Sequence, residues 1–108
     1  MRIGFFGTPK LARDVLEACV IAGHEIVFVV SQPDKPIGRK SDLVPSTVSQ
    51  FALSHGFTLY RPQKVRNNFE LFADLKSLEI DFIVVVAYGK ILPMTILDLP
   101  KYLSINVH

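Results

Sequence analysis

The segment INVH carries Asn106 and His108 two residues apart, a spacing that projects both from the same face of a strand, at its end. Histidine takes up a proton near neutral pH, and an asparagine amide donates to an oxygen on which negative charge develops. Acyl transfer needs both abilities, so the pair fits that chemistry. A strand end with two solvated polar residues fits the same spacing, because a short motif is a hypothesis until its context is known.

Other segments with chemical potential are weaker. The opening turn GFFGTP has only Gly4 and Gly7 and lacks the G-x-G-x-x-G spacing of a dinucleotide fingerprint. No acid closes the next apolar run, since Ser31, Gln32 and Pro33 precede Asp34, so nothing is placed to hold a ribose. Both absences argue against NAD. Thr8 followed by Pro9 reads as a helix N-cap and first helical residue, whose free amides could favour an anion or simply start a plain helix. His24 and His55 fall near helix C-termini, where the dipole suits them, and Cys19 reads as a small buried hydrophobe. One cysteine and no spaced cluster of histidines or carboxylates give no metal site.

These residues need elements to position them. Ile3 to Phe6 is a short apolar run of strand type, and Leu11, Ala12, Val15, Leu16, Cys19 and Val20 recur at helical spacing up to a glycine cap at Gly23. Glu25 to Ser31 is a β-branched strand buried on both faces, which predicts a parallel sheet. Gln32 to Pro45 holds three prolines, one glycine and five charges without apolar periodicity, and reads as a long surface loop. Ser46 caps a helix ended by Gly56; Phe57 to Tyr60 is a short strand; Asn68 caps a helix through Leu71, Phe72, Leu75 and Leu78. FIVVVA is the strongest strand signal, YGKILP (residues 88–93) a loop, Met94 to Leu99 a short helix, and Leu103 to His108 a fifth strand.

Alternation at this spacing predicts an α/β fold: a Rossmann-like, mostly parallel twisted sheet with helices on both faces. Ligands of such sheets bind at the carboxyl ends of the strands, which selects Gly7 to Pro9, the loop after Ser31, YGKILP and the end of the fifth strand.

A length of 108 residues allows one domain or part of one. Twelve Lys and Arg against ten Asp and Glu leave a net charge of +2, too little to argue for nucleic acid on charge alone. MRIGFFG runs straight into a strand without signal-peptide features, so a cytoplasmic location is expected. The longest apolar stretch, Phe82 to Tyr88, is far short of the roughly 20 residues that span a bilayer.

Taken in order, FxGTP, SQPDKPIGR, VVVAYGKILP and INVH resemble the methionyl-tRNA formyltransferases, and the likeness covers essentially the whole chain. PDKPIGR with AYGKILP is its specific part; INVH-like endings occur across folate-dependent formyltransferases. The resemblance implies 10-formyltetrahydrofolate as donor, its pterin near Ile91 and Leu92 and hydrogen-bonded by backbone of the loop Tyr88, Gly89, Lys90, Ile91 and Leu92, with Lys90 acting through its main chain. It further implies Asn106 as oxyanion donor and His108 as proton acceptor, helped by an aspartate beyond His108. The acceptor it implies is initiator methionyl-tRNA, met by Thr8 and Pro9, by Leu11 where the family has phenylalanine, and by Lys35, Arg39 and Lys40 of the long loop, Arg39 in the best-matched position. On this basis residues 1–108 are expected to be a partial N-terminal formyltransferase domain, truncated after about the fifth strand, without the C-terminal tRNA-binding domain and inactive alone. No metal, membrane or stable protein partner is implied, and the bare strand edge should promote association. A formyltransferase for a small amino-sugar or nucleotide amine, and a non-catalytic Rossmann-like binding module, are the alternatives.

Overall fold

The computed structural model describes residues 1–38 and 42–107. The expectations for Arg39, Lys40 and His108 lie outside the described residues.

Five strands form a wholly parallel sheet: β1 (Arg2–Gly7), β2 (Glu25–Val30), β5 (Leu59–Tyr60), β6 (Phe82–Val86) and β7 (Leu103–Val107). Their spatial order is β5-β2-β1-β6-β7, so the chain grows outward from β1 in one direction and then crosses over to start again at β6. That reversal is the switch point of a doubly wound sheet, where a crevice opens above the ends of β1 and β6.

Period-two alternation divides the apolar residues between two layers. Ile3, Phe5, Val29, Val84 and Val86 pack under α1 (Lys10–Ile21) and α2 (Thr47–His55), against Ala12, Leu16, Val48 and Phe51. On the other side Phe6, Phe28, Val30 and Ile83 pack with Leu71 and Leu75 of α3 (Phe69–Lys76) and Ile96 of α4 (Met94–Leu97). Phe5, Phe6 and Phe28 are fully buried, each contributing on the order of 1.5–3 kcal/mol. A bulge in β2 shifts its register against β1 between Ile3 and Gly4, so Gly4 lies opposite Phe28. Phe28 then covers Gly4 so closely that a Cβ there would sit 2.0 Å from the ring.

Most helix ends follow the sequence reading. The Ser46 side chain accepts from the Ser49 amide at 3.0 Å, Asn68 does the same for Leu71 at 3.0 Å, and Gly56 is left-handed. Gly23 and His24 close α1 by donating to the Val20 and Cys19 carbonyls. Cys19 is half-buried beside the core, and burial pushes its thiol pKa up.

Two expectations are corrected. Thr8 does not cap α1: Pro9 is the N-cap, no side chain caps that end, and the Thr8 hydroxyl is used elsewhere. The segment 32–45 is not without structure, because β3 (Lys35–Ile37) and β4 (Asp42–Val44) pair as an antiparallel hairpin with Pro36 opposite Leu43. Prolines and full exposure hid these strands, although a two-stranded ribbon tolerates the missing amide at its edge. The base of the hairpin is tied to the sheet by Arg61, whose Nη1 lies 3.1 Å from Asp34 Oδ1.

β7 is an edge strand held by Ser104, whose hydroxyl donates to the Leu97 carbonyl at 2.7 Å, and by stacking of Tyr102 on Phe82. Leu103, Ile105 and Val107 pair with Phe82, Val84 and Val86 and share the α1/α2 face, yet remain exposed among the described residues. No described helix is long and apolar enough to cross a membrane.

Candidate active site at the sheet switch point

Gly7 ends β1 where backbone must pass close to backbone. A Cβ there would lie 2.7 Å from that of Ala12 and 2.9 Å from the Val86 carbonyl oxygen, so glycine lets α1 start directly against β6. Thr8, the next residue, reaches across the crevice and donates from Oγ1 to the Tyr88 carbonyl at 2.8 Å. Gln32, just past β2, donates from Nε2 to the same oxygen at 3.1 Å. Three loops after three neighbouring strands thus converge on one carbonyl.

The turn they hold is conformationally special. Ala87 has φ +47° and Gly89 φ +97°. A left-handed alanine costs roughly 1–2 kcal/mol, the kind of local strain that clusters at functional sites. Tyr88 between them is buried against Phe6, with ring centroids 5.4 Å apart, and its hydroxyl is buried without a partner among the described residues. Burial pushes the Tyr88 pKa up to about 12.

Beyond this turn Ile91 is 93% exposed whereas Leu92 is built into the core. The Lys90 ammonium donates to the carbonyls of Pro62, at 3.5 Å, and of Gln63, so this side chain braces the loop against the segment after β5.

Asn106 on β7 is exposed and stands opposite Val85 of β6. With Lys90 and Ile91 it lines two adjoining cavities. One, of about 490 Å³, also takes in Leu11, Tyr88 and Gly89. The other, of about 690 Å³, extends past Leu92 to Leu97 and Tyr102. Thr8, Pro9 and Lys35 instead line a third cavity, of about 280 Å³, between the hairpin base and α2, with Gln32 in its wall. The sequence candidates therefore divide: the loop 88–92, Leu11 and Asn106 come together, while Thr8, Pro9 and Lys35 gather on the far side of the Tyr88 carbonyl.

Sequence reasoning missed Gln32 and Ala87. The loop after Ser31 was selected by its place at the carboxyl end of a strand, but nothing in that rule singles out Gln32 within it. Nothing in the residue type of Ala87 announces a positive φ.

A doubly wound domain with a mostly apolar, partly polar crevice at its switch point is a small-ligand-binding architecture. The chain matches the formyl transferase family over residues 1–108 and belongs to that family. It is 45% identical over 108 residues to a methionyl-tRNA formyltransferase of Sulfurihydrogenibium sp., covering 100% of this chain and 35% of that protein. Those of Dictyoglomus thermophilum and Thiobacillus denitrificans are 47% and 48% identical, with 100% of this chain and 34% and 35% of theirs covered. The chain thus spans about a third of the length of these curated relatives. Among solved structures, glycinamide ribonucleotide transformylase 1 from Geobacillus kaustophilus superposes with a TM-score of 0.69 at 18% identity, covering 99% of this chain and 57% of that one, a likeness of fold.

Proposed function

We propose that the protein carrying this chain transfers the formyl group of 10-formyltetrahydrofolate to the free amine of initiator methionyl-tRNA, residues 1–108 belonging to its N-terminal formyltransferase domain. The observation that carries this reading is that Asn106 shares two adjoining cavities with Lys90 and Ile91 at the ends of β6 and β7. A flat pterin suits the two together, where exposed Ile91 and the backbone of residues 88–92 offer an apolar surface with polar edges.

The amine nitrogen attacks the formyl carbon, forming the new C–N bond and a tetrahedral intermediate. The Asn106 amide donates to the oxygen on which charge develops, a role typically worth about 10²- to 10³-fold in rate. His108 takes the proton that the amine loses. The bond to the folate nitrogen then breaks, and that nitrogen is protonated as it leaves. Leu11 borders the Asn106 cavity and meets the aminoacyl side chain. The segment 32–45, with Lys35, Arg39 and Lys40, together with Thr8 and Pro9, contacts the acceptor end of the tRNA, to which arginine offers a fixed fork of donors.

The test is formyl transfer by the full polypeptide that the gene encodes, from 10-formyltetrahydrofolate to methionyl initiator tRNA, to aminosugar nucleotides and to glycinamide ribonucleotide. The reading requires the tRNA to be the preferred acceptor. Preference for a small amine would replace that acceptor, and absence of transfer to any of them would leave a binding module.

A further inference from the structure

We infer that Gln32 is a positioning residue for the formyl donor, acting through the orientation of the peptide between Tyr88 and Gly89. This rests on the functional reading above, since it concerns the loop assigned there to the folate.

A peptide unit is planar and trans, so its carbonyl and its amide point in opposite directions. Anchoring the Tyr88 oxygen therefore fixes where the Gly89 amide points. That oxygen accepts from Thr8 at 2.8 Å and from Gln32 at 3.1 Å, one donor for each lone pair. The amide is thereby turned away from both side chains. It has no backbone acceptor among the described residues, and Gly89 lines the cavity shared with Asn106.

Glycine alone would not keep this arrangement. It populates either sign of φ with similar ease, so the 88–89 peptide could turn over at little intrinsic cost. Gly89 stands at φ +97°, and a Cβ on it would lie 2.8 Å from Gln32 Nε2. The carboxamide thus packs on the bare Cα while holding the preceding carbonyl. Glycine makes room for Gln32, and Gln32 together with Thr8 selects one of the orientations that glycine permits.

Gln32 also lines the third cavity with Thr8, Pro9 and Lys35, at the foot of the hairpin. Its carboxamide joins the wall of that cavity to the turn facing Asn106.

The experiment compares wild type with Gln32→Met and Gln32→Glu in the full polypeptide; both replacements keep the side-chain length, and neither offers an N–H. Two quantities are read: the ¹⁵N-resolved amide resonance of Gly89 without ligand, and KM and kcat for 10-formyltetrahydrofolate. The expected result is a shifted or doubled Gly89 resonance together with a rise in donor KM of about 5- to 10-fold, the weight of one hydrogen bond, with kcat within about twofold. Either change without the other overturns the assignment, as does the absence of both. If wild type transfers no formyl group the functional reading fails, and the Gly89 resonance alone decides whether Gln32 sets the peptide.

Discussion

The hydroxyl of Thr8 donates to the carbonyl oxygen of Tyr88 across 2.8 Å and 80 residues of sequence, joining the turn after β1 to the turn after β6 at the switch point of the sheet. A threonine placed by sequence at a helix N-terminus serves the neighbouring loop instead, and α1 begins one residue later without a side-chain cap.

Replacing Thr8 with valine keeps the shape and removes the donor. Gln32 still reaches the Tyr88 carbonyl, so the expected loss is a single hydrogen bond, about 1 kcal/mol of unfolding free energy, with Thr8→Ser retaining most of it. Urea unfolding followed by circular dichroism measures this. Equal midpoints for wild type and the valine variant would mean that the bond contributes nothing to the folded state.

Gly4→Ala drives a methyl group into the Phe28 ring, which is fully buried and has no room to withdraw. Overpacking of this kind costs typically 1–3 kcal/mol, and with a 2.0 Å approach the upper end is expected. Pairing it with Phe28→Leu should recover part of the loss, a coupling that a double-mutant cycle in urea detects. Strict additivity would show that the ring is not the obstacle.

Tyr88 supplies a pH signature. Its pKa stands at about 12 in the fold against 10.0 for the free side chain, because burial disfavours the phenolate. Above pH 10 the unfolded chain sheds this proton while the folded one keeps it. Stability is therefore fully present below pH 10 and falls as pH rises toward 12, by on the order of 1–3 kcal/mol. Tyr88→Phe should flatten this fall and, by removing a buried hydroxyl without a partner among the described residues, cost little at neutral pH. Identical alkaline slopes for the two proteins would contradict it.

Much of the architecture was legible because its causes are local. Continuous β-branched runs such as IVFVV and FIVVV are the pattern of strands covered on both faces, as in a parallel sheet, and Ser46, Asn68, Gly23 and Gly56 carry their capping chemistry in their own side chains or lack of one. The hairpin was not legible: mostly exposed, it shows no alternation, and Pro36 argues against a strand. At the candidate site, the strand-end loop YGKILP and Asn106 were selected from type and position, and both line the same cavities. The junction at the Tyr88 carbonyl was not, because the side chains of Thr8 and Gln32 meet it only after β1, β2 and β6 lie side by side. Likewise the bracing of Lys90 against Pro62 and Gln63 depends on where the segment after β5 comes to rest.

The most direct measurement is the single-turnover rate of formyl transfer from 10-formyltetrahydrofolate to methionyl initiator tRNA by the full polypeptide, with Asn106 intact and with Asn106→Ala. The expected result is a fall of about 10²- to 10³-fold with donor binding unchanged, since the amide acts on charge that exists only as the reaction proceeds. A variant rate within about twofold of wild type would contradict it, for a lost oxyanion donor cannot leave the barrier unmoved.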